Sequence, residues 1–161
     1  MRNSVFLLIG GNLGDRFKLL SQAKFEIQKE IGQIEKESSI YETAAWGFKS
    51  ENDFLNQVIM ISTDFNAIEI LKLCQEIENK LGRTRESEQY ASRTMDIDIL
   101  FYNDEIIDFP ELKIPHIQLH KRKFTLEPLS EIAPKFVHPS LSKTMKGLLQ
   151  ECSDKSEVKK I

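Results

Sequence analysis

The sequence lacks several features that would place it in a specialised class of proteins. It contains only two cysteines, Cys74 and Cys152, without C-x-x-C spacing, which argues against a disulfide scaffold. No apolar run approaches the roughly eighteen residues of a membrane-spanning helix. The apolar run over residues 5–9 ends at glycines without a small-residue cleavage pattern. We therefore expect no signal peptide, no membrane partner and a cytoplasmic location.

Several catalytic motifs are also missing. There is no G-x-x-x-x-G-K-[ST] phosphate loop, no G-x-G-x-x-G after the first apolar run and no G-x-S-x-G. His116 and His120 are four residues apart and would form a metal pair if they were helical. However, Pro115 precedes them and no third ligand is evident, so the pattern does not favour zinc.

The overall composition is typical of an ordinary soluble domain. The chain has 161 residues, of which 40% are hydrophobic and 29% are charged, with a formal net charge of −3. A general nucleic-acid binder would normally carry a basic excess, so we expect no nucleic-acid partner. The length predicts a single domain over residues 1–161, and its size and charge favour a monomer.

Hydrophobic periodicity predicts an α+β fold. Residues 4–9 form a short apolar run that is typical of a buried strand. Phe17, Leu20, Ala23 and Ile27 then recur at helical spacing, and a second helix follows Asn66, a good N-cap with Glu69 three residues later. Strands are also predicted within residues 34–46, 58–63 and 95–102. The order βαββαβ predicts a ferredoxin-like sheet with its two helices on one face.

The last third of the chain is less regular. A short edge strand is predicted at residues 105–107, as part of a C-terminal hairpin, followed by short helices over residues 126–132 and 145–149. The charged segment 153–161 is expected to fray.

Two acidic residues in the last predicted strand form the strongest chemical signal. Side chains alternate between the two faces of a strand, so Asp96 and Asp98 share one face while Ile97, Ile99 and Phe101 point to the other. Two neighbouring carboxylates repel each other unless a cation lies between them, and Mg²⁺ is bound by one or two carboxylates together with substrate phosphates. The alternative is a pair of acids on a solvated sheet face.

Basic residues near this pair favour an anionic ligand. Arg83, Arg85 and Arg93 precede the two aspartates, and residues 113–123 contain His116 and Arg122 but no acidic residue. Arginine binds phosphate oxygens in a bidentate manner. A solvated basic face is the alternative, but carboxylates and arginines together point to a magnesium–nucleotide complex.

Aromatic residues could bind a flat heterocycle. Phe54, Trp46 and Phe124 lie at the ends of predicted elements, and Asn56 could supply both a donor and an acceptor to a ring edge. Taken singly, these aromatic residues would more commonly be part of the core.

Several segments together resemble the 6-hydroxymethyl-7,8-dihydropterin pyrophosphokinase family, nearly from end to end. The core of the likeness is the R-x-x-D-x-D-[apolar] pattern that begins at Arg93. The other matching segments are Gly10-Gly11-Asn12-Leu13-Gly14, Tyr41-Glu42-Thr43, Phe54-Leu55-Asn56, Gly82-Arg83-Thr84-Arg85, Pro115-His116, Arg122-Lys123-Phe124 and Glu131-Ile132-Ala133-Pro134.

The resemblance implies transfer of the terminal diphosphate of ATP to the hydroxymethyl oxygen of the dihydropterin, with release of AMP, in tetrahydrofolate biosynthesis. It implies that Asp96 and Asp98 hold two Mg²⁺ ions and act with Arg83 and Arg93 in catalysis. It further implies an ATP set of Gln75, Arg85, Arg93, Ile99, His116 and Arg122, a pterin set of Thr43, Ala44, Trp46, Phe54, Asn56 and Phe124, and a supporting Glu78.

Some positions depart from the family pattern, among them Gln89, Tyr90 and Ile117, and none of these is an expected metal ligand or core arginine.

Two rival functions remain open. The same fold serves small-molecule sensors, and another magnesium-dependent ATP phosphotransferase would release ADP instead of AMP.

Overall fold

Local signals in the sequence set the ends of the main helices and strands. The structure, a computed structural model, describes residues 2–44, 53–82 and 95–161. The strands are β1 (Asn3–Gly11), β2 (Gln33–Glu37), β3 (Tyr41–Thr43), β4 (Phe54–Thr63), β5 (Asp96–Tyr102), β6 (Ile107–Phe109), β7 (Leu112–Ile114) and β8 (Val158–Lys160). The helices are α1 (Arg16–Glu30), α2 (Ala67–Lys80), α3 (Lys123–Ile132) and α4 (Met145–Glu151), with a short 3₁₀ helix at Leu119–Lys121.

The main sheet is antiparallel and has the strand order β5-β1-β4-β3-β8, with β2 also paired to β4. The predicted βαββαβ pattern is confirmed. The extended segment predicted after α1 consists of two strands, β2 and β3, which both pair with β4. Strands β6 and β7 form the separate hairpin.

Helices α1 and α2 pack on one face of the sheet, as predicted. Leu20, Ala23 and Ile27 are fully buried against the odd-numbered side chains of β1, whereas Phe17 is 45% exposed. Asn66 caps α2 through a capping box with Glu69, in which the two hydrogen bonds measure 2.9 and 3.0 Å. These local signals were sufficient to predict both helices.

The short C-terminal helices cover the opposite face. Leu126 and Leu129 of α3, together with Met145 of α4, pack on Leu8 of β1 and Leu100 of β5 in a second apolar core. The sheet therefore has a core on each face. Among the described helices, none is both long and apolar enough to cross a membrane.

A β-bulge corrects the predicted direction of one side chain. Phe6 pairs with Phe101 and Leu7 pairs with Ile99, so Leu100 is an extra residue in β5. Phe101 consequently enters the second core with Leu100, not the first core with Ile99. The prediction for Phe101 was wrong because simple alternation holds only where a strand has no inserted residue.

The end of the chain is ordered, contrary to the prediction that it frays. Residues of β8 pair with β3, with Lys160 opposite Tyr41 and Val158 opposite Thr43. The Ile161 backbone N–H also donates to the Ile40 carbonyl at 2.9 Å. Backbone hydrogen bonds to an open sheet edge hold this segment, and such pairing leaves little trace in hydrophobic composition.

A buried histidine organises the turn between α3 and α4. His138 is 4% exposed, and its Nδ1 accepts hydrogen bonds from the backbone N–H groups of Ser140 and Leu141, both at 3.1 Å. The centre of its ring lies 5.5 Å from the centre of the Phe101 ring, and the two rings are arranged edge to face. Burial lowers the pKa of His138 below the ordinary value of 6.5, and the neighbouring His120 lowers it further. The lowered pKa and the two hydrogen bonds that Nδ1 accepts favour the neutral ring in the folded protein.

We expect the free energy of unfolding to fall as the pH drops below about 6.5, because the unfolded chain then binds a proton that folded His138 resists. His138→Asn should flatten this fall, since its side-chain oxygen can accept from the same turn without titrating. Urea unfolding at pH 7.5, 6.5 and 5.5 measures the effect. His120→Asn should flatten the fall less than His138→Asn does, because it removes only the smaller of the two causes that lower the pKa of His138. An unchanged acid slope in His138→Asn would contradict this role.

Candidate functional site

A cavity of about 510 Å³ lies on the same sheet face as the second core. It is located where β1 ends and where β4 and β5 begin, because antiparallel pairing brings these ends together. The first turn of α3, the end of β3 and the C-terminal segment complete the wall. The lining residues are Leu8, Gly10, Thr43, Ala44, Phe54, Asn56, Asp96, Asp98, Arg122, Phe124, Asp154 and Ser156.

The two aspartates of β5 face the cavity together, as the alternation predicted. Asp96 and Asp98 are half-buried and line the cavity, while Ile97 and Ile99 are buried in the first core. Two positions along a strand place the Cα atoms about 7 Å apart. The sheet therefore presents two carboxylates to the same cavity.

Aromatic and amide groups form another part of the same wall. Phe54 and Asn56 project from β4, and Phe124 lies in the first turn of α3. The Arg122 guanidinium carbon is 5.6 Å from the centre of the Phe124 ring, which is a cation–π distance. The apolar rings and the buried amide of Asn56 suit a flat ligand that has polar edges.

Gly10 of β1 provides the space in which Asn56 fits. Gly10 pairs with Asn56 on one side and with Asp96 on the other. A Cβ at Gly10 would overlap the Asn56 side-chain oxygen and lie 2.8 Å from the Leu55 carbonyl oxygen. The glycine is therefore required by the close approach of a neighbouring side chain and backbone.

His116 lies close to the charged part of the site without lining the cavity. Its Nδ1 accepts from the Gln118 backbone N–H at 3.1 Å, and its own backbone N–H donates to the Leu100 carbonyl. Burial lowers the pKa of His116, Asp98 opposes this shift, and Arg122 adds to it. The charges of Asp98 and Arg122 therefore act on His116 in opposite directions.

Three other predicted residues lie outside the cavity wall. Glu78 of α2 is 6% exposed, and its Oε2 accepts from the Ile97 backbone N–H at 2.8 Å, which ties α2 to the strand between the two aspartates. Gln75 is exposed on α2. Ile99 is 4% exposed in the first core. Their ATP-binding or supporting roles stay predictions, as do those of Arg83, Arg85, Arg93 and Trp46, which lie outside the described residues.

Sequence reasoning missed four lining residues. Leu8 and Gly10 were assigned only to a strand and its end, and Asp154 and Ser156 fall in the segment expected to fray. The Asp-x-Ser pattern at residues 154–156 is typical of a side-chain-capped turn. The neighbouring sequence does not indicate which distant backbone N–H group would donate to Asp154.

The donor chemistry of the aspartate pair fits a hard cation such as Mg²⁺. Both side chains offer carboxylate oxygens and line a cavity that Arg122 also lines. Within residues 2–44, 53–82 and 95–161, no group of three or more His, Cys, Asp or Glu could hold a metal ion. Substrate phosphate or water oxygens are typical further ligands of Mg²⁺ at such a pair.

The fold and the cavity define a class of protein: a ferredoxin-like α+β domain with a small-molecule site on the face opposite its two main helices. Residues 6–134 match the 7,8-dihydro-6-hydroxymethylpterin-pyrophosphokinase (HPPK) family. The chain belongs to this family.

Individual relatives agree with this assignment. The chain is 41% identical over 148 residues to the 2-amino-4-hydroxy-6-hydroxymethyldihydropteridine pyrophosphokinase of Aquifex aeolicus, covering 92% of this chain and 91% of the relative. It is 42% identical over 133 residues to the Bacillus subtilis enzyme of the same name, covering 82% and 79%. The fold is similar to that of Plasmodium falciparum HPPK-DHPS, with a TM-score of 0.77 and 18% identity over 94% of this chain. That alignment spans 42% of the fused chain.

We expect Gly10→Ala to lower the free energy of unfolding by about 1–3 kcal/mol, because the added methyl group must displace Asn56 or the β4 backbone. Urea unfolding measures the loss. Gly147→Ala is the matched control, since that glycine lies inside α4 and its nearest contact is the Thr144 hydroxyl at 3.2 Å. The control should change the stability less, because its nearest contact is one side-chain hydroxyl and not the backbone of a neighbouring strand. Equal stability of Gly10→Ala and the unmodified chain would show that the strands can separate at this point.

Proposed function

We propose that this cavity binds the pterin substrate beside the phosphates of ATP. As a member of its family, the chain is a pyrophosphokinase of folate biosynthesis: it transfers diphosphate from ATP to the hydroxymethyl group of 6-hydroxymethyl-7,8-dihydropterin and releases AMP. The observation that carries the assignment is that one cavity holds Phe54, Phe124 and Asn56 together with Asp96 and Asp98.

The aromatic end of the cavity suits the pterin ring. We propose that Phe54 and Phe124 stack on its two faces. The Asn56 side chain would form hydrogen bonds to the edge of the ring, as a donor through its amide nitrogen and as an acceptor through its oxygen. Asn56 is 6% exposed, so its hydrogen bonds would form away from bulk water. A ligand without matching polar groups would leave the amide without hydrogen-bond partners, which lowers binding affinity. The backbone at Thr43 and Ala44, together with Trp46, completes the proposed pterin set.

The charged end suits the triphosphate. Arg122 lines the cavity and His116 lies close to it, so both would contact phosphate oxygens. Arg83, Arg85 and Arg93 complete the proposed charge neutralisation, with Gln75 and Ile99 assigned to ATP and Glu78 to support. Glu78 supports this end through its hydrogen bond to the Ile97 backbone, which holds the strand between the aspartates.

The aspartate pair is the proposed binding site for two Mg²⁺ ions. When bound, the ions would neutralise phosphate charge and make the attacking hydroxyl more acidic. Asp96 and Asp98 would orient the phosphates against the pterin hydroxymethyl group, and Arg122 would balance their negative charge. Catalysis would then consist mainly of alignment and charge neutralisation, without a dedicated general base.

We also propose that residues 1–161 form a single domain and that the protein is cytoplasmic and acts as a monomer. The small size of the chain and its formal net charge of −3 support the monomer proposal.

The nucleotide product separates this proposal from its rivals. The purified chain is incubated with ATP, Mg²⁺ and 6-hydroxymethyl-7,8-dihydropterin, and AMP and ADP are resolved chromatographically. We expect AMP only when both the pterin and the metal are present. ADP would indicate attack on the terminal phosphorus, and the absence of both products from a folded chain would favour a sensor.

We expect Asp96→Ala and Asp98→Ala each to lower kcat by about 10²–10³-fold or more, because each removes a carboxylate from the phosphate end of the site. Both side chains are half-buried at the cavity, so the melting temperature should change little. Asp104→Ala, at an exposed turn just after β5, is the matched control. Near-normal turnover in either aspartate variant would remove that residue from the proposed metal site.

A further inference from the structure

The first turn of α3 is capped by a residue from the C-terminal segment, 31 residues further along the chain. Arg122 occupies the N-cap position but makes no side-chain capping hydrogen bond. Asp154 supplies the missing acceptor, because its Oδ2 accepts from the Lys123 backbone N–H at 3.0 Å. A carboxylate at this position satisfies an otherwise unpaired donor and interacts favourably with the positive end of the helix dipole.

The capping carboxylate is itself held rigidly. Its Oδ1 accepts from the Ser156 backbone N–H at 2.9 Å and from the Ser156 hydroxyl at 2.6 Å. These hydrogen bonds lower the pKa of Asp154, so the residue is ionised in the folded protein. Asp154 and Ser156 both line the cavity.

The segment that carries Asp154 joins two walls of the cavity. At one end Asp154 holds the turn that contains Arg122 and Phe124. At the other end β8 pairs with β3, where Val158 lies opposite Thr43. Glu131 makes a second connection between α3 and the same region, since its carboxylate accepts from the Ser39 backbone N–H and from the Tyr41 hydroxyl. This segment and Glu131 thus both connect the two walls.

We propose that Asp154 is a positioning residue for pterin binding: by capping α3 at Lys123, it sets the place of Phe124, the next residue of the helix, at the cavity. This inference rests on the proposed function, in which Phe124 stacks on the pterin ring. Loss of the cap frees the first turn of α3, so Phe124 contacts the substrate for a smaller fraction of time. The carboxylates of β5 are held by the sheet and keep their places.

The experiment compares four variants with the unmodified chain: Asp154→Ala, Asp154→Asn, Phe124→Ala and Glu157→Ala. For each, KM for the pterin, KM for ATP, kcat and the melting temperature are measured. Asp154→Asn keeps one acceptor oxygen, so it is the conservative rescue. Glu157→Ala removes an exposed carboxylate from the same segment and is the matched control.

We expect Asp154→Ala to raise KM for the pterin about fivefold, the size expected for loss of an N-cap, with kcat and KM for ATP within about twofold. Asp154→Asn should show a smaller rise, and Glu157→Ala none. Phe124→Ala should raise KM for the pterin about tenfold or more, as loss of a stacking partner does.

Two results would overturn the inference while leaving the proposed site in place. In one, Phe124→Ala weakens pterin binding but Asp154→Ala does not. In the other, Asp154→Ala lowers kcat, both substrate affinities and the melting temperature together, as a general structural defect would. If Phe124→Ala leaves KM for the pterin unchanged, the pterin assignment fails, and the role of Asp154 fails with it.

Discussion

Strand β1 forms backbone hydrogen bonds to β4 on one side and to β5 on the other, and the described part of the site depends on this antiparallel pairing. The register places Gly10 between Asn56 and Asp96, so a polar amide and a carboxylate flank a position without a side chain. A shift of one residue in either pairing would turn Asn56 or the aspartates toward the first core. The chemistry of the cavity is thus tied to the most extensive hydrogen-bonded pairing in the sheet.

The same sheet face serves stability at one end and function at the other. Along β1, Phe6 and Leu8 pack under α3 and α4, and Gly10 opens into the cavity. Along β5 the direction is reversed, so Asp98 faces the cavity and Leu100 enters the second core. The helices on the opposite face bury the first core and leave this face for the site. Rigid strands can hold functional groups in place more precisely than isolated loops can.

Much of the fold could be predicted because its signals are local. The capping box at Asn66 and the spacing of Leu20, Ala23 and Ile27 depend only on residues within a few turns of one helix. The pairing of Asp96 with Asp98 on one face required only the two-residue period of a strand. Eight of the predicted site residues line one cavity: Thr43, Ala44, Phe54, Asn56, Asp96, Asp98, Arg122 and Phe124.

By itself, then, the sequence determined the order of the main elements, the shared face of the two aspartates and the motifs that place the chain in its family. The tertiary structure alone decided that Leu100 forms a bulge, that β8 closes on β3, and that Asp154 caps α3. The physical reason is the range of the interactions. Periodicity and capping involve residues close in the chain. The β8 pairing and the Asp154 cap each form where a distant backbone group is left to be paired, and the bulge depends on the register of β5 against β1, so all three are known only once the sheet has assembled.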